Sequence, residues 1–108
     1  MPHYLIQGSY TAEAWQALLN KPEDRSEALR SVIEKLGGRI VHSWYTFGPH
    51  DFVGIVEMPD NVSAAAFSLA QTAGGALRSL ETTPLLELSE GLEAMKRASK
   101  AGYRPPGK

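Results

Sequence analysis

The stretch Trp44-Tyr45-Thr46-Phe47-Gly48-Pro49-His50-Asp51-Phe52-Val53-Gly54-Ile55-Val56-Glu57 decides the fold. Two runs rich in aromatic and β-branched residues flank a Gly-Pro pair, the pattern of a β-hairpin. It predicts strands over residues 39–47 and 50–58. With Gly48-Pro49 as a two-residue loop, Phe47 lies opposite His50, Thr46 opposite Asp51 and Trp44 opposite Val53. Side chains alternate along a strand. One face then holds Val41, Tyr45, Phe47, His50, Phe52 and Val56, the expected core. The other holds Ile40, His42, Trp44, Thr46, Asp51, Val53, Ile55 and Glu57. That mixture of aromatic, imidazole, hydroxyl and carboxylate groups suits a cleft or a wet dimer interface.

Outward from the hairpin, residues 3–10 alternate as a first strand. Thr11 is positioned to cap a helix starting at Ala12, with Glu13 in its first turn and Trp15, Leu18 and Leu19 on one side. Pro22 interrupts that helix, and a second segment opens at Glu23 and Asp24 and runs to Leu36, where Gly37-Gly38 stops it. Pro59-Asp60-Asn61 ends the hairpin and caps a third helix. Its residues Val62, Ala65, Ala66, Leu69, Ala70 and Ala73 are expected against a sheet. Residues 76–83 form a fourth strand, and Ser89 caps a last helix reaching about Lys100. Residues 1–101 make one domain, and residues 102–108 an extended tail.

This order is the split βαβ, or ferredoxin-like, arrangement: an α+β βαββαβ antiparallel sheet with its helices on one face, followed by an extra C-terminal helix. The opposite sheet face is left open. An open face bearing aromatic residues is a liability for a monomer, and face-to-face dimerisation covers it.

Composition narrows the function classes. The 108 residues suit one domain, and 43% hydrophobic residues suit a packed core rather than disorder. The net charge of −1 offers no basic field for nucleic acid or anionic lipid. The absence of cysteine excludes disulfides, thiolate metal sites and a cysteine nucleophile, and fits a reducing compartment. No charged-then-apolar leader opens the chain and no apolar run approaches a membrane span, so a cytoplasmic location is expected.

The chain resembles the GYD-domain family, small bacterial proteins of the dimeric α/β-barrel type, from Tyr4 to about Glu90. The resemblance rests on Gly8 with Tyr10-Thr11, on Pro22 and Arg25, and on Lys35-Leu36-Gly37-Gly38. It continues through Trp44-Tyr45-Thr46, Gly48-Pro49-His50-Asp51 and Glu57-Met58-Pro59-Asp60. His50 stands where the family's aromatic residue precedes the aspartate. The resemblance implies a fold and a homodimer, and carries no catalytic residue with it.

Among candidate site residues, Asp51 is the most pointed. It is placed to act as a base or ligand anchor; its ordinary role is a turn aspartate that accepts backbone or Thr46 hydrogen bonds. His42 is a second candidate base, within diagonal reach of Glu57. His42 and Asp51 are separated by on the order of 13 Å along the sheet and do not form a dyad. His50 falls on the opposite face from His42 and Asp51. No close-spaced histidine pattern appears, so neither a metal site nor a cofactor is expected. Trp44, Thr46, Asp51 and His42 are therefore the expected ligand contacts, while Trp15 packs a helix on the sheet. The expected function is binding of a small, partly apolar molecule in a cleft by the open sheet face of a homodimer. A cofactor-free enzyme of the monooxygenase or isomerase kind, with Asp51 or His42 moving the proton, is the alternative, and a purely structural role the second.

Overall fold

The computed structural model describes residues 1–108. The elements run β1 (His3–Tyr10), α1 (Ala12–Asn20), α2 (Ser26–Lys35), β2 (Arg39–Tyr45), β3 (Phe52–Glu57), α3 (Asn61–Ala73), β4 (Leu77–Leu85) and α4 (Leu88–Ser99). The four strands form one antiparallel sheet in the order β2-β3-β1-β4. This is the ferredoxin-like α+β fold.

Local chemistry sets the element ends. Thr11 Oγ1 accepts the Ala14 N–H at 3.1 Å and opens α1. Pro22 keeps α1 from continuing, and α2 starts three residues later than Glu23, because the Asp24 carboxylate accepts the Ser26 N–H at 2.9 Å. Gly37, with φ +83°, takes the left-handed position after α2. Gly38 has a different duty: a Cβ there would collide with the Glu57 carbonyl and the Met58 sulfur, so the chain passes close under β3 only as glycine. Pro84 lies inside β4 rather than after it, which an edge strand tolerates. The last helix begins one residue before Ser89, because Glu87 and Glu90 close a reciprocal capping box.

The core lies between α2, α3 and the inner sheet face: Tyr4, Ile6, Ile33, Val56, Met58, Ala64 and Phe67, with Leu29, Val32, Ile40, Phe52 and Leu80 packed around them. The Tyr4 hydroxyl stays satisfied by donating to Asn61 Oδ1 at 2.5 Å.

Three expectations are corrected. First, the hairpin is not closed by two residues. The strands end at Tyr45 and resume at Phe52, and a six-residue loop joins them, with the Thr46 N–H donating to the Asp51 carbonyl at 2.8 Å. Phe47 is fully exposed in that loop instead of packing in the core. Second, the register shifts between Ile40 and His42, so Val41 is an extra residue. Ile40, opposite Val56, therefore packs on the core, while His42 and Trp44 stay on the open face opposite Ile55 and Val53. Third, α3 turns Ala64, Phe67 and the half-buried Ser68 toward the sheet, and Ser68 hydrogen-bonds Thr82 at 2.5 Å. Val62, Ala65, Leu69, Ala70 and Ala73 face solvent instead.

Candidate functional site

The hairpin end of the sheet gathers more chemistry than any other region. Asp51 is fixed from three directions. Its N–H donates to the Gly8 carbonyl at 2.8 Å. Its Oδ2 accepts the Tyr10 N–H and the Trp15 indole N–H, each at 2.9 Å. The carboxylate thus ties the end of β1 to α1. Around it, the Tyr10 ring meets Trp15 edge-to-face at 5.1 Å and Phe52 at 5.3 Å. Burial pushes the Tyr10 phenol above its ordinary value of 10.0; Tyr45 and Asp51 push the same way, and Arg25 opposes them. The loop leans on this end too, where buried Ser9 donates to the Pro49 carbonyl at 3.3 Å.

A cavity of about 210 Å³ opens beside this cluster, between α2, α3 and the inner sheet face. Leu29, Val32 and Phe52 give it an apolar wall, and Tyr10, Arg25 and Gln71 bring polar groups to it. Gln71 Oε1 is buried and has no hydrogen-bond partner. A second hollow of about 290 Å³ shares Tyr10, Arg25, Leu29 and Phe52 and continues outward past Trp44 and Tyr45. Arg25 is the cation common to both, and its other partner is the exposed Glu23 carboxylate at 3.0 Å.

The residues singled out from the sequence have different neighbours. Trp44 lines the outer hollow, and its ring also meets the His42 ring at 4.4 Å, tilted by 50°. His42 does not approach Glu57. That carboxylate instead takes the Arg39 guanidinium through two hydrogen bonds at 2.7 and 3.1 Å, and His3 Nε2 lies 3.1 Å away. The Arg39 hydrogen bonds hold Glu57 below its ordinary value of 4.5. Thr46 Oγ1 donates to the His50 carbonyl at 2.7 Å and serves the loop. Asp51 reaches Trp15, the tryptophan that sequence reasoning set aside as packing. Tyr10 and Arg25 stood among the resemblance positions, and the Tyr10 hydroxyl was also a possible polarising group. Gln71 had no signal in the sequence.

The open face carries Leu5, Ile55 and Val53 at its centre and the Trp44–His42 pair at the β2 edge. The rim is charged: Arg39, Glu57 and His3 at one end, and Glu81 with His50 Nε2 at 3.5 Å at the other. No helix is long and apolar enough to cross a membrane.

Fold and site together define a small ferredoxin-like module with an aromatic, hydrogen-bonded sheet end and an uncovered sheet face. The chain belongs to the GYD-domain family, whose model matches residues 4–95. A relative from Thermus thermophilus, named "Glutamine synthetase and cystathionine beta-lyase binding protein", is 28% identical over 90 residues, covering 82% of this chain and 95% of the relative. Among solved structures, a protein from Thermus thermophilus aligns at TM-score 0.48 and 16% identity, over 81% of this chain and 95% of its own. An uncharacterized NIPSNAP domain protein from Burkholderia xenovorans aligns at 0.45 and 14%, over 81% and 94%.

Proposed function

We propose that this protein is a homodimeric binding module whose ligand is a small molecule with an apolar body and a carboxylate. The observation that carries this reading is the cavity between α2 and α3. Its wall is apolar, its one cation is Arg25, and the buried Gln71 Oε1 lacks a donor. Buried polar atoms are normally paired, so an orphaned acceptor at a cavity wall favours a ligand that brings an N–H or O–H. The exposed Glu23 partner gives Arg25 little stabilisation and yields to a better-desolvated carboxylate. The cleft of this proposal lies on the helix side of the sheet, with Trp44 at its mouth, and the open face is left for the second protomer. Asp51 holds Trp15 and Tyr10 in place and supports binding rather than proton transfer.

Thermal shift with short aliphatic and aryl monocarboxylates, with and without an α-amino or hydroxyl donor, tests the proposal. At least one compound is expected to raise the melting temperature, with the effect lost in Arg25→Ala and reduced in Gln71→Leu. A shift that survives Arg25→Ala sinks the assignment.

A second reading has its own support. The uncovered apolar centre of the open face, with Trp44 49% exposed, also suits docking to another protein. The Thermus relative is named for binding two enzymes. In this reading the dimer presents its surface to an enzyme partner, and the small molecule modulates that contact.

A further inference from the structure

Helix α4 is built for a partner that its own domain does not supply. Apart from Gly91, every residue from Leu88 to Ser99 is exposed. Yet Leu88, Leu92 and Met95, at 93%, 52% and 69% exposure, fall on one side of the helix. A helix of 12 residues is marginal alone in water, so this stripe needs cover. The molecule measures 58 × 34 × 22 Å, with a radius of gyration of 17.4 Å. A compact chain of this length would have about 13 Å. Helix α4 therefore projects from the body as an arm.

The matching surface is the outer side of α3. Val62 and Leu69 are 80% and 69% exposed, with exposed Ala65 between them, and α3 carries no charged residue to desolvate. Both stripes span eight residues. From Val62 the steps are three and then four; read backwards from Met95, the α4 steps are also three and then four. Antiparallel packing therefore sets Met95 beside Val62, Leu92 beside Ala65 and Leu88 beside Leu69. The small Ala65 lets the helix axes approach and leaves room for Leu92. Antiparallel packing also opposes the two helix dipoles favourably.

We infer that α4 of one chain docks antiparallel onto the outer face of α3 in a second copy of this chain. The chain's connectivity favours the second copy over the arm's own domain. The Glu87–Glu90 capping box, with the Glu87 N–H on Glu90 Oε1 at 2.9 Å, starts α4 almost directly after β4. Leu86 and Glu87 alone join the two elements, about 7 Å of extended chain, too short to carry α4 over α3 of the same chain to its outer side. Charge also matches between copies. Residues 88–108 carry five basic and two acidic side chains, whereas residues 1–87 carry six basic and ten acidic ones. Helix α3 lies on the far side of the sheet from the open face. Arm exchange thus adds a contact distinct from face-to-face pairing and joins such pairs into larger assemblies.

Because the chain has no cysteine, engineered thiols report the contact cleanly. Ala65→Cys chains mixed with equimolar Leu92→Cys chains and oxidised are expected to give a disulfide-linked dimer. Val62→Cys with Met95→Cys should do the same, and Val62→Cys with Leu88→Cys should not. A double Ala65→Cys/Leu92→Cys chain that closes within a monomer at high dilution would show the arm on its own domain and overturn the inference. Dimers from Leu92→Cys alone, showing arm-to-arm pairing, would also overturn it, as would no cross-link in any mixture. As a second measurement, Leu92→Asp is expected to weaken the larger assembly at least ~tenfold, about 1.4 kcal/mol, in sedimentation while leaving the Trp44-bearing face intact. An unchanged assembly rejects the arm contact.

Discussion

The two faces of the sheet are made by the same strands, residue by alternate residue, and they differ in what completes them. On the inner face Tyr4, Ile6 and Val56 are covered by α2 and α3 of the same chain, and the Tyr4 and Ser68 hydroxyls have partners within it. On the outer face Leu5, Val53 and Ile55 sit among Arg39, Glu57, His3 and Glu81 and are only half-buried. The inner face is complete in one chain, and its cost of formation is met by local packing. In the proposed dimer the outer face would gain its full burial from a second molecule. Mutations on the two faces should therefore be read by different instruments: melting for one, association for the other.

The largest effect is expected inside. Phe67→Ala leaves a cavity beneath α3 and should cost about 3–5 kcal/mol, lowering the melting temperature by on the order of 15 °C at every protein concentration. A loss that depends strongly on concentration would mean that the inner face, too, relies on a partner.

The two tryptophans sharpen the contrast. Trp15→Ala removes the indole donor from Asp51 and a ring from Tyr10, and should cost about 2 kcal/mol with association unchanged. Trp44→Ala should cost less than about 1 kcal/mol of stability but weaken dimerisation. Equal effects of both variants on sedimentation would erase the distinction between the faces.

Acid gives the smallest effect and probes the rim. Glu57 is held below its ordinary value of 4.5 by Arg39, with His3 helping. A carboxylate depressed in the folded state adds stability that is present above its unfolded value and lost as pH falls through the folded one. Melts between pH 6 and pH 3 should decline, and Glu57→Gln should flatten part of that slope. An unchanged slope would mean that the Arg39 pair is screened away in solution.

How much of this was legible depended on the range of the interaction. The element order followed from local signals: Thr11, Asp60, Gly37 and the alternation around Ile55 each act over a few residues. Trp44 opposite Val53 was correctly paired because that register holds near the loop. Ile40 was misplaced because a bulge leaves no mark on composition. The α3 face was misread because alanine fits both buried and exposed helix sides, and the sheet-facing contacts belong to Phe67 and to a Ser68–Thr82 hydrogen bond. The site was hardest. Asp51 stood out in the sequence, but its hydrogen-bond partners Tyr10 and Trp15 lie about forty positions away and meet it only through sheet order. Gln71 becomes conspicuous solely by what it lacks.

The extra residue at Val41 has a consequence for how β2 can change. It is slack in an edge strand. Removing it would leave a regular ladder with Ile40 still inward and Trp44 still outward, so the chain can lose the residue without exchanging its surfaces. Absorbing it is another matter. If Val41 were drawn into the pairing, everything from His42 to Tyr45 would rotate by one place, turning Trp44 toward the helix side of the sheet and Tyr45 toward the open face. One residue of play in the outermost strand thus connects the two surfaces of the molecule, as a slipped stitch turns the pattern of a whole row.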